Sequence, residues 1–167
     1  MMKFFISLCF SLISYSLHAN EWKLTSYDWG EFDRNQASVL IKKGSDASSM
    51  QDVTARIAHG NDGGQYIYIE HAFMEDYNAC EPKRINNESV AKFNGKAVRV
   101  FVWCKKFSDA DKYYLQLTPS TVAGKKYVVS EFKNSAKHVS FEYNEIYVTI
   151  SAKGFSAAWN NAGGNAL

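Results

Sequence analysis

The strongest strand pattern in the sequence lies just past the middle of the chain and reads Ala97-Val98-Arg99-Val100-Phe101-Val102-Trp103-Cys104. In an extended chain successive side chains point to opposite faces, so the valines fall on one face and the aromatic rings on the other. β-Branched residues opposite large rings are typical of a strand whose two faces are both covered. We therefore predict that this stretch is the central β-strand.

Turn and strand patterns continue on both sides of the central strand. Asn94-Gly95 precedes it and predicts a tight hairpin turn, because both residues tolerate a positive φ. Further strands, each bounded by turn residues, are predicted at 21–27, 38–42, 53–58, 65–73, 90–93, 112–117, 139–141 and 146–150. The part from Gln65 to Leu117 reads as an antiparallel meander, and Met74 to Glu88 within it reads as a polar loop.

Two helices are predicted in the last third of the chain. Thr118-Pro119-Ser120-Thr121 supplies N-cap candidates and a proline near the first turn. Apolar residues then recur at helical spacing at Val122, Val129, Phe132 and Ala136. A shorter helix after Gly154 places Phe155, Ala158, Trp159 and Ala162 on one stripe and stops at Gly163-Gly164.

These elements predict an α+β fold in one domain. A mostly antiparallel sheet carries one helix between its late strands and a second, short helix at the C-terminus. The aromatic face of the central strand, with Phe101 and Trp103, is the predicted seat of one of these helices.

The first nineteen residues have the layout of a secretory signal peptide. Lys3 gives a positive start, Phe4 to Ile13 form an apolar run, and Leu17-His18-Ala19 offers a cleavage site after a small residue. Residues 20–167 are then the exported domain, and we expect the protein in the periplasm or outside the cell. No later stretch is apolar enough to predict a membrane helix.

The charge balance argues against two classes of partner. The whole chain has a formal net charge of +2, and removing residues 1–19 takes away Lys3 and no acidic residue, which leaves +1. Basic and acidic residues are interspersed, so no basic patch predicts binding to nucleic acid or to an anionic membrane.

Two cysteines, Cys80 and Cys104, remain after removal of the signal. An even number of cysteines in an exported chain favours a disulfide, which would contribute on the order of 3 kcal/mol by closing the loop between them. A metal site is the alternative, but two thiolates without spaced histidines make a poor zinc site. We predict the disulfide, and no metal or cofactor.

The last third of the chain carries the one resemblance to a known family. Leu117-Thr118-Pro119-Ser120-Thr121 leads into the predicted helix, Val139-Ser140-Phe141 forms a strand, and Gly154-Phe155 is followed by small residues. This arrangement is similar to the closing section of small exported bacterial proteins of the invasion-associated locus B type. The resemblance implies a β-rich envelope domain without a known catalytic centre, and no functional residue carries over from it.

Candidate catalytic residues are few. Glu70 and His71 are adjacent on a predicted strand, so they point to opposite faces and cannot act together on one substrate atom. His59 and His71 flank a hairpin and, with Asp62 or Glu75, would make a speculative metal site without any recognised ligand spacing. We find no nucleophile elbow, phosphate-binding loop or dinucleotide fingerprint.

The aromatic residues and one polar loop favour a binding function instead. Aromatic residues with outward positions or near the mature N-terminus are Tyr66, Tyr68, Tyr113, Tyr114, Trp22, Trp29 and Phe32. Tyrosine and tryptophan are enriched at protein interfaces, although they also fill cores. The predicted loop that carries Cys80 is the likeliest surface for recognition because loops fixed to a rigid scaffold commonly carry function. Its candidate partner-binding residues are Asp76, Tyr77, Lys83 and Arg84.

The sequence therefore predicts a small exported, non-enzymatic binding protein that acts by occupying a protein partner, as an inhibitor or immunity protein does. Two alternatives stay open: an envelope structural or host-interaction factor, and a hydrolase with scattered catalytic residues among Glu70, His71, His59 and Glu75. Clustering of Glu75, His59 and His71 around one concave pocket with shifted pKa values would favour the hydrolase. A flat or protruding aromatic and charged patch with no pocket would favour binding.

Overall fold

A computed structural model of the chain describes residues 22–43, 50–74, 78–82 and 86–163. The predicted signal peptide, residues 1–19, lies outside this part of the chain. Within it, neither helix has the length and apolar character needed to cross a membrane.

The described residues form one antiparallel sheet of nine strands and two helices. The strands are β1 Trp22–Tyr27, β2 Gln36–Lys43, β3 Gln51–His59, β4 Gln65–Phe73, β5 Asn86–Phe93, β6 Lys96–Lys106, β7 Tyr113–Pro119, β8 His138–Tyr143 and β9 Ile146–Ser151. The helices are α1 Val122–Asn134, between β7 and β8, and α2 Phe155–Gly163, at the end. Cys80 and Cys104 form a disulfide with a Cα–Cα distance of 5.7 Å. The predicted α+β fold and its disulfide are confirmed.

The predicted meander from Gln65 to Leu117 is wrong in its first connection. The sheet order is β1-β2-β3-β4-β7-β6-β5-β8-β9, so β4 pairs with β7, through Glu70 opposite Gln116, and not with the next strand in sequence. Between β4 and β5, the described residues 78–82 contact both β7 and β6. The Asn78 side-chain oxygen accepts a hydrogen bond from the Tyr113 backbone N–H at 2.9 Å, and Cys80 is bonded to Cys104. Alternation along a strand cannot reveal its neighbours, because it constrains faces and not pairing partners.

The valine face of β6 is the buried one. Val98, Val100 and Val102 are 4% exposed or less, whereas Phe101 on the other face is 40% exposed. The prediction that a helix packs against Phe101 and Trp103 is therefore wrong. Helix α1 instead starts against the valine face, where the Cα of Gly124 lies beside Val98. The helices close the core on the side of the valines, and the aromatic side of β6 is left uncovered by them.

Helix α1 begins at one of the predicted N-cap residues. Thr121 is the N-cap, and its side-chain oxygen accepts a hydrogen bond from Gly124 N at 3.0 Å. Pro119 belongs to the end of β7 and not to the helix. The predicted apolar stripe is wrong at both ends, because Val122 is 70% exposed and the exposed Ala136 lies beyond the last residue of α1, Asn134. The buried residues of α1 are Val128 and Phe132.

The curled sheet brings its two ends together around Trp29, in the turn after β1. The indole Nε1 donates to the Ser151 carbonyl at 2.7 Å, and the Trp29 backbone N–H donates to the Lys153 carbonyl at 3.1 Å. Beside it, hydrogen bonds from the Lys153 ammonium and the Ser151 hydroxyl lower the pKa of Asp28. The first turn of the chain is thus fastened to the segment between β9 and α2.

We expect Gly124→Ala to destabilise the protein by about 1 kcal/mol, although alanine is the better helix former. A Cβ at this position would lie 2.9 Å from Val98 Cγ1 and 3.0 Å from the capping oxygen of Thr121. Overpacking of this kind costs about 1–3 kcal/mol, which exceeds the gain of about 1 kcal/mol in helix propensity. The free energy of unfolding in urea tests this, with Ala123→Gly as the comparison for propensity alone. A variant more stable than the wild type would contradict the close contact.

Candidate functional site

The uncovered face of β3, β4, β7 and β6 forms a long groove, which we call the outer groove. Two cavities of about 890 and 340 Å³ lie along it and share Arg56, Glu70 and Tyr114 in their walls. The residues that define the groove are Tyr68, Glu70, Phe101, Trp103, Tyr114 and Gln116. They alternate with buried core residues along each strand, so the same pleat that fills the core also places them outside.

A hydrogen-bonded chain of polar groups crosses the centre of the outer groove. Arg56 Nη2 lies 3.0 Å from Glu70 Oε2, and Gln116 Nε2 donates to Glu70 Oε1 at 2.8 Å. Glu70 is only 9% exposed, and both of its oxygens are engaged. Desolvation and two partners therefore hold this carboxylate in one position, and a fixed charge of this kind orients whatever lies against it.

Strand register places aromatic side chains on the two sides of β7. Phe101 of β6 is opposite Thr118 of β7, and the register of β4 with β7, continued by one residue, places Tyr68 on the other side of Thr118. Trp103 is opposite Gln116 in the neighbouring row, and Glu70 lies across from it. Because adjacent strands are about 4.8 Å apart, the side chains of β4 and β6 stand about 10 Å apart over a floor formed by β7.

One end of the outer groove is built by the β3–β4 turn and the start of α1. The Tyr66 hydroxyl donates to Asp62, whose other oxygen accepts from Gly64 N at 3.0 Å. Lys125 Nζ sits 3.4 Å from the centre of the Tyr66 ring, which is a cation–π contact. The Tyr66 hydrogen bond lowers the pKa of Asp62, so this carboxylate is ionised and occupied.

Several hydrogen-bond donors in the outer groove have no partner among the described residues. These are the Trp103 indole N–H, the Tyr68 and Tyr114 hydroxyls, the Lys105 ammonium and the buried Ser120 hydroxyl. Burial raises the pKa of Tyr68 and of Tyr114, so both phenols keep their protons at neutral pH. Of these groups the Trp103 indole N–H and the Lys105 ammonium can only donate, so they require acceptors from a ligand or from water.

The structure brings together some of the aromatic residues singled out from the sequence and separates others. Tyr66, Tyr68 and Tyr114 line the outer groove, as their outward positions suggested. Tyr113 instead packs against the core, and Trp29 is buried at 6% exposure, so it is a core residue and no surface contact. The side chain of Trp22 and the candidate partner-binding residues Asp76, Tyr77, Lys83 and Arg84 lie outside the described part of the chain.

Phe32 is exposed as expected for a surface residue. Its ring is 66% exposed and meets Tyr27 with 4.4 Å between the ring centres. It lies in the turn after β1, and the outer groove is lined by other residues.

The residues named for hydrolytic or metal chemistry do not meet. Glu70 faces the outer groove and His71 is buried on the other side of the sheet, as adjacent strand residues must. His59 also lines the outer groove, but Glu70 is opposite Thr54, five residues along β3 from His59, or about 17 Å. His71 is opposite Val53, six residues along β3 from His59, which puts the two histidines about 20 Å apart. The suggested approach of His59 to His71 is therefore wrong. Among the residues that the structure describes, no three His, Cys, Asp or Glu side chains are arranged to hold a metal ion, and Glu75 is not one of these residues.

His71 lies at the far end of the core from the helices. Its Nε2 is 2.9 Å from Gln51 Oε1, and it borders a cavity of about 540 Å³ whose lining includes Ile41, Phe73 and Glu145. Burial lowers the pKa of His71 from 6.5 to about 4, because the imidazolium would lose its hydration.

We expect His71 to make folding stability depend on pH in mildly acidic solution. Its folded-state pKa lies below its unfolded value, so the unfolded chain binds more protons between pH 6.5 and pH 4, and stability falls as the pH falls through this window. The loss is about 2 kcal/mol by pH 5. Urea unfolding of wild type and His71→Gln from pH 4.5 to pH 7.5 isolates it as a difference.

The comparison with His71→Gln also removes the contribution of other groups. Asp52 changes the free energy of unfolding in the opposite direction. Burial raises its pKa, so its contribution makes the folded protein more stable as the pH falls. Its contribution is common to both proteins and cancels in the difference. Parallel curves for the two proteins would show that His71 is not the group that titrates.

Part of the outer groove carries no binding prediction from the sequence. This part consists of Arg56, Trp103, Lys105 and Gln116, and the sequence pattern predicts helix packing for Trp103. The alternation in the last strand before α1, with Gln116 between two leucines, marks an outward polar position. It does not reveal that β4 and β6 flank this strand.

No protein-family model matches the chain, and neither a curated protein nor a solved structure matches it at a significant level. The similarity of the last third to the invasion-associated locus B type stays a prediction.

Proposed function

We propose that this protein is an exported, non-enzymatic binding protein that acts by occupying a protein partner, and that the outer groove is its recognition surface. The observation that carries the proposal is the composition of the uncovered sheet face. Trp103, Tyr68, Tyr114 and Arg56 converge there, while the opposite face of the same strands is packed into the core.

The residue types in the outer groove are those that dominate binding energy at protein interfaces. Alanine substitutions with large effects fall most often on tryptophan, tyrosine and arginine in concave, desolvated sites. Phe101 adds an apolar ring at 40% exposure, whose centre is 5.8 Å from that of Trp103. An exposed pair of large rings gains free energy when a partner removes it from water.

The polar centre of the groove suits binding better than acid–base chemistry. Both Glu70 oxygens are hydrogen-bonded, one to Arg56 and one to Gln116, so protonation by a substrate would weaken the contacts that hold this carboxylate in place. A network that is already satisfied acts as a rigid, charged template. Rigid surfaces of this kind lose little entropy when a partner docks.

Export rests on the predicted signal peptide, and the disulfide is compatible with it. Cys80–Cys104 is the state expected of two cysteines in an oxidising compartment. An inhibitor or immunity protein against an envelope enzyme would work in this compartment, and its target would be a second exported protein.

We expect Trp103→Ala to abolish recovery of the partner from an envelope extract of the host. The oxidised domain, immobilised through its C-terminus, should retain one protein in stoichiometric amount, and Trp103→Ala should retain less than a tenth of it. Tyr147→Ala is the matched control, because Tyr147 is 67% exposed on β9 and does not line the outer groove. Equal recovery by wild type and Trp103→Ala would refute the groove as the recognition surface.

A further inference from the structure

The unused donors of the outer groove indicate what kind of chain it holds. Resting on the proposed function, we propose that the groove binds an extended, proline-rich segment of the partner protein that carries a carboxylate. A segment in the polyproline II conformation presents backbone carbonyl acceptors and apolar rings, and its prolines have no N–H donor.

Hydrogen-bond accounting favours this occupant. The Trp103 indole N–H and the Tyr68 and Tyr114 hydroxyls have no acceptor within the part of the chain that the structure describes. The two carboxylates of the larger cavity already have partners: Glu70 is bonded to Arg56 and Gln116, and Asp62 to Tyr66 and Gly64. The Trp103 indole N–H can only donate, so a ligand that is rich in acceptors and poor in donors suits this cavity.

The sheet topology excludes the other common ways of holding a peptide here. Strands β4, β7 and β6 are each paired on both sides, so no free strand edge faces the groove and no β-strand can be added. An α-helix uses its backbone carbonyls in its own hydrogen bonds, whereas polyproline II has no internal hydrogen bonds and leaves its carbonyls free to accept from the Trp103 indole N–H. A narrow, extended chain recognised by side chains fits the space.

The length of the outer groove sets the length of the segment. The two cavities follow β4 from Tyr66 to Met74, which are eight residues apart, or about 26 Å along a strand. Polyproline II advances about 3.1 Å per residue, so about nine residues span this distance. Phe101 and Trp103 on β6 and Tyr68 on β4 would contact successive proline rings from two sides.

Charge defines the remaining feature of the segment. Lys105 lies on β6 beside Trp103, is exposed, and has no anionic partner within the described ranges. The other cations that line the larger cavity are engaged, Arg56 with Glu70 and Lys125 with the Tyr66 ring. Lys105 is therefore positioned to pair with an acidic side chain between prolines.

A fluorescent peptide of the repeat Pro-Pro-Glu, nine residues long, tests the inference on the oxidised domain. We expect saturable binding with a Kd in the micromolar range, at least tenfold weaker for Trp103→Ala and for a peptide with alanine in place of proline. Lys105→Gln should weaken binding about threefold and reduce its salt dependence. Tyr68→Ala gives a second groove variant, and circular dichroism of each variant checks that it is folded. Tyr147→Ala should bind as the wild type does.

Three outcomes would overturn the inference. They are equal binding of the proline and alanine peptides, equal binding by wild type and Trp103→Ala, and tighter, Trp103-dependent binding of an oligosaccharide such as chitohexaose. These experiments distinguish failure of this inference from failure of the proposed function. If the envelope partner is still lost with Trp103→Ala while the proline peptide does not bind, the groove remains the recognition surface and only its proline-rich occupant is wrong.

Discussion

Trp29→Ala is expected to lower the free energy of unfolding by about 4 kcal/mol, the largest effect of any single substitution considered for this protein. Trp29 is 6% exposed, and its ring meets Phe132 of α1 and Phe155 of α2 edge to face, with ring centres 5.7 and 5.0 Å away. Truncation would leave a cavity where the first turn, both helices and the end of β9 meet.

The indole N–H adds a polar contribution to this packing. It donates to the Ser151 carbonyl at 2.7 Å in a buried setting, and Trp29→Phe would leave that carbonyl without its partner. We expect this milder substitution to cost about 1–2 kcal/mol. The difference between the two variants separates the hydrogen bond from the aromatic packing.

Equilibrium unfolding in guanidinium chloride measures both costs, with Phe32→Ala as the matched control. Phe32 is an aromatic residue of the same turn but is 66% exposed, so its loss should change stability by no more than about 0.5 kcal/mol. If Trp29→Ala and Phe32→Ala were equally stable, the described closure of the sheet around Trp29 would be incorrect.

Removal of the disulfide is expected to cost about 3 kcal/mol. Cys80 and Cys104 are 24 residues apart in sequence, and cross-linking them limits the conformations of the unfolded chain. In the folded state the bond holds residues 78–82 against β6. Trp103, the residue before Cys104 in β6, lines the outer groove. The double variant Cys80→Ala/Cys104→Ala therefore tests stability and the anchoring of one groove wall.

Reduced wild-type protein provides the control for the double variant. Both lack the cross-link, so their unfolding midpoints should agree and lie below that of the oxidised protein, with a larger dependence on denaturant because their unfolded chains expose more surface. Equal midpoints for oxidised and reduced wild type would mean that the bond contributes nothing measurable.

Several local features of this protein follow from short-range sequence signals. Alternation placed the strands at 65–73 and 97–104 to within two residues, and Asn94-Gly95 adopts the two positive φ values, 46° and 76°, that its turn chemistry predicted. Thr121 caps α1, and the two cysteines pair. Each of these depends on neighbours within a few residues, or on a choice among so few cysteines that one pairing remained.

Which strands lie side by side, and which face of the sheet is covered, depends on contacts between residues far apart in the chain. Local alternation fits a helix against Phe101 as well as against Val98, because it distinguishes two faces without saying which one meets the helices. The contact of Gly124 with Val98 and the pairing of β4 with β7 join residues far apart in the chain. Four strands contribute to the site, through Arg56, Glu70, Gln116 and Trp103. These residues form one site because the core lies on the opposite face of the same strands.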